Sequence, residues 1–258
     1  MITRTFSPAI DTDRRESAIP FLRLIHVETR KFFDTLVGQV LIVTTLVLGV
    51  GVMVGQAWFG APELQSVLTM SGVILSLLLP AMGILAVTSE WSHGTASRTF
   101  ALEPRRARIV LAKLFPPVIA TALACTALIA ASVPVTWLAA IARGVPADLN
   151  LDLAATAGWL AVNVILVLSG VALGTLTLNA PTAIILVAVS TILWSLIAIS
   201  GETGAAIASW LDLANTTAPL LKGVLTSDDL ARIAVAATAG ILLPLALGTV
   251  RVLRREVR

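Results

Sequence analysis

Charged residues divide the chain into long uncharged stretches, and this spacing is the strongest pattern in the sequence. A helix needs about 20 apolar residues to cross the roughly 30 Å hydrocarbon core of a membrane. Five stretches are long enough to do so. They lie between Asp34 and Glu63, Glu63 and Glu90, Lys113 and Arg143, Asp152 and Glu202, and Arg232 and Arg251.

The fourth stretch is about twice as long as the others and contains the turn signal Asn179-Ala180-Pro181. Proline also moves the residue before it away from helical geometry, so this stretch is predicted to form two spans. The fold class is therefore an all-α polytopic membrane protein with six transmembrane helices. The predicted helices are Leu36 to Ala57, Val67 to Thr88, Leu114 to Ile141, Ala154 to Leu178, Thr182 to Ser200 and Ile233 to Val252.

Lysine and arginine residues are distributed unequally between the two predicted sides. Fifteen of the eighteen lie in the N-terminal arm, the connection after the second span and the C-terminal tail. The other side carries Arg143, Lys222 and Arg232 beside seven acidic residues. Because cytoplasmic connections are enriched in Lys and Arg, both termini are predicted to be cytoplasmic. This topology accounts for the basic charge, and no nucleic-acid partner is expected.

The first 34 residues are mixed and polar, so no cleavable signal peptide is predicted. From Ser17 to Asp34 the apolar residues recur with helical spacing, which predicts an amphipathic interfacial helix before the first span. The predicted organisation is a cytoplasmic arm over 1–35, a transmembrane domain over 36–252 with a cytoplasmic coupling loop at 89–113 and an outer loop at 201–232, and a basic tail over 253–258.

Amino-acid composition narrows the class of protein further. Of the 258 residues, 57% are hydrophobic and only 13% are charged, with a mean hydropathy of +0.93. Soluble domains carry about 25% charged residues, so a soluble globular fold and a disordered chain are both excluded. The single cysteine, Cys125, excludes a disulfide within one chain.

None of the predicted spans has a charged residue near the membrane midplane, which argues against ion-driven transport. His26 and His93, the two histidines, both lie in cytoplasmic segments, so neither a metal site nor a Ser-His dyad can form inside the membrane. No G-x-x-x-x-G-K-[ST] motif is present. We therefore expect no catalytic, metal or cofactor residues in this chain, and any nucleotide energy must come from another polypeptide.

Two glycine pairs with four-residue spacing occur in the predicted spans, Gly51/Gly55 in the first and Gly170/Gly174 in the fourth. Small residues at this spacing let two helix backbones approach closely. The pairs fit packing within the chain or a seam between two copies.

The segment after the second span is patterned rather than linker-like. It contains Glu90, then Gly94-Thr95, then Pro104-Arg105, and Lys113 at the start of the third span. In this order the segment resembles the membrane subunits of ABC exporters, the ABC type-2 permease family. The stretch from Glu28 to Thr35 resembles the amphipathic helix of the same family, and the six-span topology extends the resemblance over the whole chain.

The resemblance implies a permease that pairs with a second copy or a similar subunit and with two ATP-hydrolysing subunits on the cytoplasmic face. It also implies that the helix before the first span and the coupling loop transmit ATP-driven motion. Glu90 is expected to pair with Arg98 or Arg105. The residues implied in coupling are Glu28, Arg30, Lys31, Glu90, Gly94, Thr95, Arg98, Pro104, Arg105 and Lys113.

The expected function is export of a drug, antibiotic, lipid or other amphipathic solute across a bacterial plasma membrane. The alternative is a non-transporting scaffold, assembly or sensor subunit that uses the same loop for docking. The loop arginines Arg105, Arg106 and Arg108 also fit a simpler interpretation, in which they set the topology and bind anionic lipid.

Overall fold

The computed structural model describes residues 19–92, 94 and 105–254. The described residues are 87% helical and form no strand. Six helices are long and apolar enough to cross a membrane, as the sequence predicted, and they indicate a multi-pass membrane protein. These spans are Leu36–Phe59, Leu64–Ser92, Arg106–Arg143, Leu153–Thr177, Ala180–Ile199 and Ser227–Arg254.

Several spans consist of more than one helical segment. In chain order the segments are α1 (Phe21–Asp34), α2 (Leu36–Phe59), α3 (Leu64–Met70), α4 (Gly72–Ser92), α5 (Arg106–Ala112), α6 (Phe115–Arg143), α7 (Leu153–Thr177), α8 (Ala180–Ile199), α9 (Glu202–Leu211), α10 (Leu213–Thr217), a 3₁₀ turn (Ala218–Lys222), α11 (Ser227–Ala237), a π-helical turn (Thr238–Leu242) and α12 (Leu243–Arg254).

Five of the six spans begin earlier than predicted, and the second, third and sixth do so by three residues or more, because charged and polar residues fit in the first turn of a helix beyond its apolar part. The sixth span is the clearest case. Thr226 and Asp229 form a capping box, with the Thr226 hydroxyl accepting from the Asp229 N–H at 3.2 Å, so the helix begins at Ser227. A π-helical turn then precedes Pro244, which has no N–H to donate.

The second and fourth spans share the most extensive interface between helices. Glycines make the close approach possible. Gly83 faces the carbonyl oxygen of Val167, and a Cβ at Gly170 would lie 2.6 Å from Pro80 Cα. A Cβ at Gly174 would lie 2.6 Å from Val87 Cγ2. The two helix backbones are therefore in direct contact over about two turns.

The remaining spans pack around this pair. A Cβ at Gly49 of the first span would lie 2.9 Å from Leu128 Cδ2 of the third, and one at Gly248 of the sixth would lie 2.6 Å from Leu176 N of the fourth. The fifth span is the least covered, with 6% of its apolar window buried. The fourth span is thus the centre of the fold.

The predicted outer ends are tied together by hydrogen bonds from one backbone N–H and one arginine side chain to backbone carbonyl oxygens. Leu64 N donates to Asp148 O at 2.8 Å, and Arg143 donates to the carbonyl oxygens of Ala57 and Gly60 at 2.9 and 2.6 Å. The predicted outer loop forms α9, α10 and the 3₁₀ turn, whose Leu220 carbonyl packs on Gly158 of the fourth span.

Candidate functional site

Four charged side chains form a closed ring where α1 meets the ends of the second and third spans. The Lys31 ammonium lies 2.6 Å from Glu28 Oε1 and 3.0 Å from Glu90 Oε1. The Lys113 ammonium lies 2.6 Å from Glu28 Oε2 and 3.2 Å from Glu90 Oε2. Each carboxylate bridges both lysines, and each lysine bridges both carboxylates. We call Glu28, Lys31, Glu90 and Lys113 the charge ring.

The charge ring joins segments that are distant in sequence. Glu28 and Lys31 lie one turn apart on α1, Glu90 lies near the end of α4, and Lys113 directly follows α5. Glu28 and Lys113 are buried, and their side chains are 8% and 10% exposed. The helix before the first span is therefore attached to the second and third spans by charge.

Two carboxylates and two ammonium groups leave the charge ring with no net charge. Buried charges are costly unless they are paired, and removing one member of a buried pair costs about 3 to 5 kcal/mol. The arrangement stabilises the contact only while all four charges are present. A displacement of α1 must either carry the ends of the two spans with it or leave buried charges unpaired.

Lys31 is the most exposed member of the charge ring, with 44% of its side chain accessible. Burial disfavours its charged form, but the hydrogen bond and negative charge of Glu28, helped by Glu90, outweigh this effect. The pKa of the Lys31 ammonium is raised as a result. Lys31 therefore stays charged throughout the physiological pH range.

The short helix α5 also anchors both ends of the described chain. Arg108 donates to the carbonyl oxygen of Ile19 at 2.6 Å, just before α1. Arg106 donates to the carbonyl oxygen of Val252 at 3.2 Å, near the end of α12. These contacts give two of the loop arginines a structural role beyond topology and lipid binding.

A small apolar cluster lies beside the charge ring, at the end of the fourth span. Leu178 caps α7 in the left-handed conformation, with φ of 55°, and packs on Val110 and Val252. Trp91 and Leu245 complete the cluster. A left-handed leucine is unfavourable, so the side chain's burial compensates for backbone strain.

The structure brings together four of the ten residues that the resemblance implies in coupling, namely the charge ring. Arg30 instead pairs with Asp34 at 3.3 Å on the exposed side of α1. Gly94 has φ of +66°, which favours glycine after the helix ends, and Arg105 is the N-cap of α5. Thr95, Arg98 and Pro104 lie outside the described residues.

The two glycine pairs differ in their surroundings. Gly170 and Gly174 pack within the chain against the second span. A Cβ at Gly51 or Gly55 would meet no described atom within 4 Å. Glycines with the same spacing therefore lie in an interface within the chain on the fourth span and on a face without contacts to other described residues on the first.

Sequence reasoning singled out each member of the charge ring but not the way they pair. Glu90 was expected to bind Arg98 or Arg105, and the structure places it beside Lys31 and Lys113. Burial of Glu28 was not foreseen either. Its spacing of three residues from Lys31 was the available signal, because such residues are neighbours on a helix.

The chain matches no protein-family model and no curated protein. Within the described ranges, no group of three or more His, Cys, Asp and Glu residues is placed to hold a metal ion. The assignment of a function therefore rests on these residues and their geometry.

Proposed function

We propose that this chain is the membrane-spanning permease subunit of an ATP-driven ABC exporter, which moves an amphipathic solute across a bacterial plasma membrane. The charge ring carries the proposal. It connects the two segments that the family resemblance implies in coupling, the helix before the first span and the segment from Glu90 to Lys113. A second permease copy and two separate ATPase subunits complete the proposed exporter.

In this mechanism the ATPase subunits press on the cytoplasmic side of α1 and on the loop that precedes α5. Both termini are cytoplasmic in the proposal, in keeping with the distribution of Lys and Arg. The charge ring then transmits the displacement, because separating its buried members is more costly than moving them together. The second and third spans follow α1, and the tightly packed second span carries the fourth with it.

The spans offer mainly apolar surface, with few polar side chains such as Asn163 and Thr136 in the interior. An apolar pathway suits an amphipathic solute such as a drug, antibiotic or lipid better than an ion, because a bare ion needs polar ligands in the membrane. The hydrolysis of ATP belongs to the ATPase subunits in this proposal.

The first test is purification of the tagged chain from its native host in a mild detergent, followed by mass spectrometry. We expect stoichiometric recovery of a protein with a Walker A motif. Recovery of the chain alone, or with a partner that is not an ATPase, would favour the alternative function of a membrane scaffold, assembly or sensor subunit.

The second test separates coupling from stability. Glu90→Ala should leave a folded complex that retains its ATPase subunits and hydrolyses ATP but no longer transports the substrate found by stimulated hydrolysis. Glu63→Ala is the matched control, because Glu63 lies at the other end of the same span. Unchanged coupled transport by Glu90→Ala would remove Glu90 from the mechanism.

A further inference from the structure

The elbow between α1 and α2 carries a cleft of about 390 Å³ beside the charge ring, with which it shares Lys31. A single residue, Thr35, separates the two helices and fixes their angle. Its hydroxyl donates to Phe32 O at 2.9 Å and accepts from Gly38 N at 3.3 Å. The cleft is lined by His26, Val27, Arg30, Lys31, Asp34 and Thr35.

We infer that this cleft binds the headgroup of an amine-bearing phospholipid, with the phosphodiester on Arg30 and Lys31 and the amine on Asp34. The inference concerns the chain's lipid environment and does not depend on the proposed transport function. It rests on the position of the cleft, its paired charges and the apolar surface next to it.

Position favours a lipid over a soluble ligand. Because α1 ends one residue before the first span, the cleft lies at the end of a membrane helix, where headgroups are found. The first span continues from the cleft with Leu36, Val40, Val43 and Val47 on one helical face, and all four are exposed. Acyl chains attached to a headgroup in the cleft can lie along this face.

The charges in the cleft suit a headgroup that carries both signs. Arg30 and Asp34 pair at 3.3 Å, but their side chains are 77% and 66% exposed, so water screens the pair and its contribution to stability is small. A phosphodiester offers the Arg30 guanidinium a bidentate acceptor, and an ammonium group offers Asp34 a hydrogen-bond donor. The lipid would thus exchange one weak pair for two charge-assisted contacts.

Lys31 connects the cleft to the charge ring. Its ammonium has three N–H donors, and its contacts with Glu28 and Glu90 use two of them. Lys31 lines both the cleft and the small cavity inside the charge ring. A phosphate that takes the third donor would place a lipid in contact with the residue that ties α1 to the second span.

The test is native mass spectrometry of the delipidated full chain with added phosphatidylethanolamine, phosphatidylglycerol or phosphatidylcholine. We expect retention of phosphatidylethanolamine to exceed that of phosphatidylcholine, whose methylated amine cannot donate to Asp34. Arg30→Gln should lower the affinity for phosphatidylethanolamine and phosphatidylglycerol by about tenfold, the effect of one lost charge-assisted contact. Asp34→Asn should weaken the binding of phosphatidylethanolamine and leave the binding of phosphatidylglycerol unchanged.

Arg23→Gln is the matched control, since Arg23 is an exposed arginine on the same helix outside the cleft. An equal loss of lipid affinity in Arg23→Gln and Arg30→Gln would contradict the proposed site. Equal retention of phosphatidylethanolamine and phosphatidylcholine would also contradict it. Competition by glycerophosphoethanolamine as strong as by the intact lipid would show that the ligand is a soluble phosphate. The ATPase subunits are not needed here, so a negative result leaves the proposed function intact.

Discussion

The second span is held in two different ways along its length. At mid-depth it meets the fourth span through glycines, with backbone against backbone and no charge involved. At its end it meets α1 and the third span through the charge ring, whose members are long and flexible and include the partly exposed Lys31. The glycine interface cannot rearrange without losing its close packing. The charge ring can open if its charged groups find other partners.

This difference separates a rigid element from a breakable one within a single helix. A motion that starts at α1 can be passed to the second span by the charge ring and carried onward by the glycine interface as a rigid unit. Substitutions at the glycine interface and at the charge ring should therefore lower the stability by different amounts, and the two losses should depend differently on pH.

The largest effect is expected from enlarging a glycine at the central interface. A Cβ at Gly170 would lie 2.6 Å from Pro80 Cα, and backbone cannot move aside as a side chain can. Gly170→Leu should therefore destabilise the protein by about 3 kcal/mol or more, since overpacking and backbone shifts add together. The measurement is the unfolding midpoint of the purified chain in detergent.

Gly51 provides the matched control, because a Cβ there meets no described atom within 4 Å. Gly51→Ala should stabilise the helix by about 0.5 to 1 kcal/mol, while Gly170→Ala should destabilise the protein. Equal effects at the two positions would show that the central interface is not closely packed. If Gly51 lies in a seam between copies, Gly51→Leu should lower dimerisation without lowering the stability of the monomer.

Glu28→Gln should have the next largest effect. This substitution removes one of the two carboxylates that contact the buried Lys113 ammonium. We therefore expect the free energy of unfolding to fall by about 3 kcal/mol. Asp34→Asn removes a carboxylate from the exposed pair on the same helix and should cost less than about 1 kcal/mol.

A double-mutant cycle makes the charge ring prediction specific. The loss of stability caused by Glu28→Gln should be smaller in a Lys113→Met background, because no buried ammonium at position 113 is then left without its partner. Strictly additive effects of the two substitutions would mean that Glu28 and Lys113 do not interact.

A smaller effect is expected at Leu178, which ends the fourth span beside the charge ring. Leu178→Ala removes a buried side chain and keeps the left-handed strain, whereas Leu178→Gly removes both. Both variants should be less stable than the parent, and the glycine variant should be the more stable of the two by about 1 kcal/mol. The reverse order of melting temperatures would contradict the strained conformation at φ of 55°.

The number and approximate limits of the spans were predictable, because a span must be about 20 apolar residues long whatever it packs against. The partners of each residue were not. Gly51/Gly55 and Gly170/Gly174 have the same spacing, and only the arrangement of the spans leaves one pair open and buries the other. Likewise, the charge of Lys113 was plain from the sequence, but its contact with Glu28 joins positions that only the fold brings together.

The smallest effect concerns pH and distinguishes the two contacts directly. The pKa of Lys31 is raised in the folded protein, so its contribution to stability is complete below its usual value and is lost as pH rises through the raised one. The stability difference between the parent and Lys31→Met should thus be constant from neutral pH to about pH 9 and shrink at higher pH. It should not exceed about 1 kcal/mol, because water screens this exposed lysine. The loss in Gly170→Ala involves no proton and should not change over the same range. A Lys31→Met difference that already shrinks near neutral pH would mean that Glu28 and Glu90 do not hold the ammonium, and that Lys31 does not attach α1 to the second span.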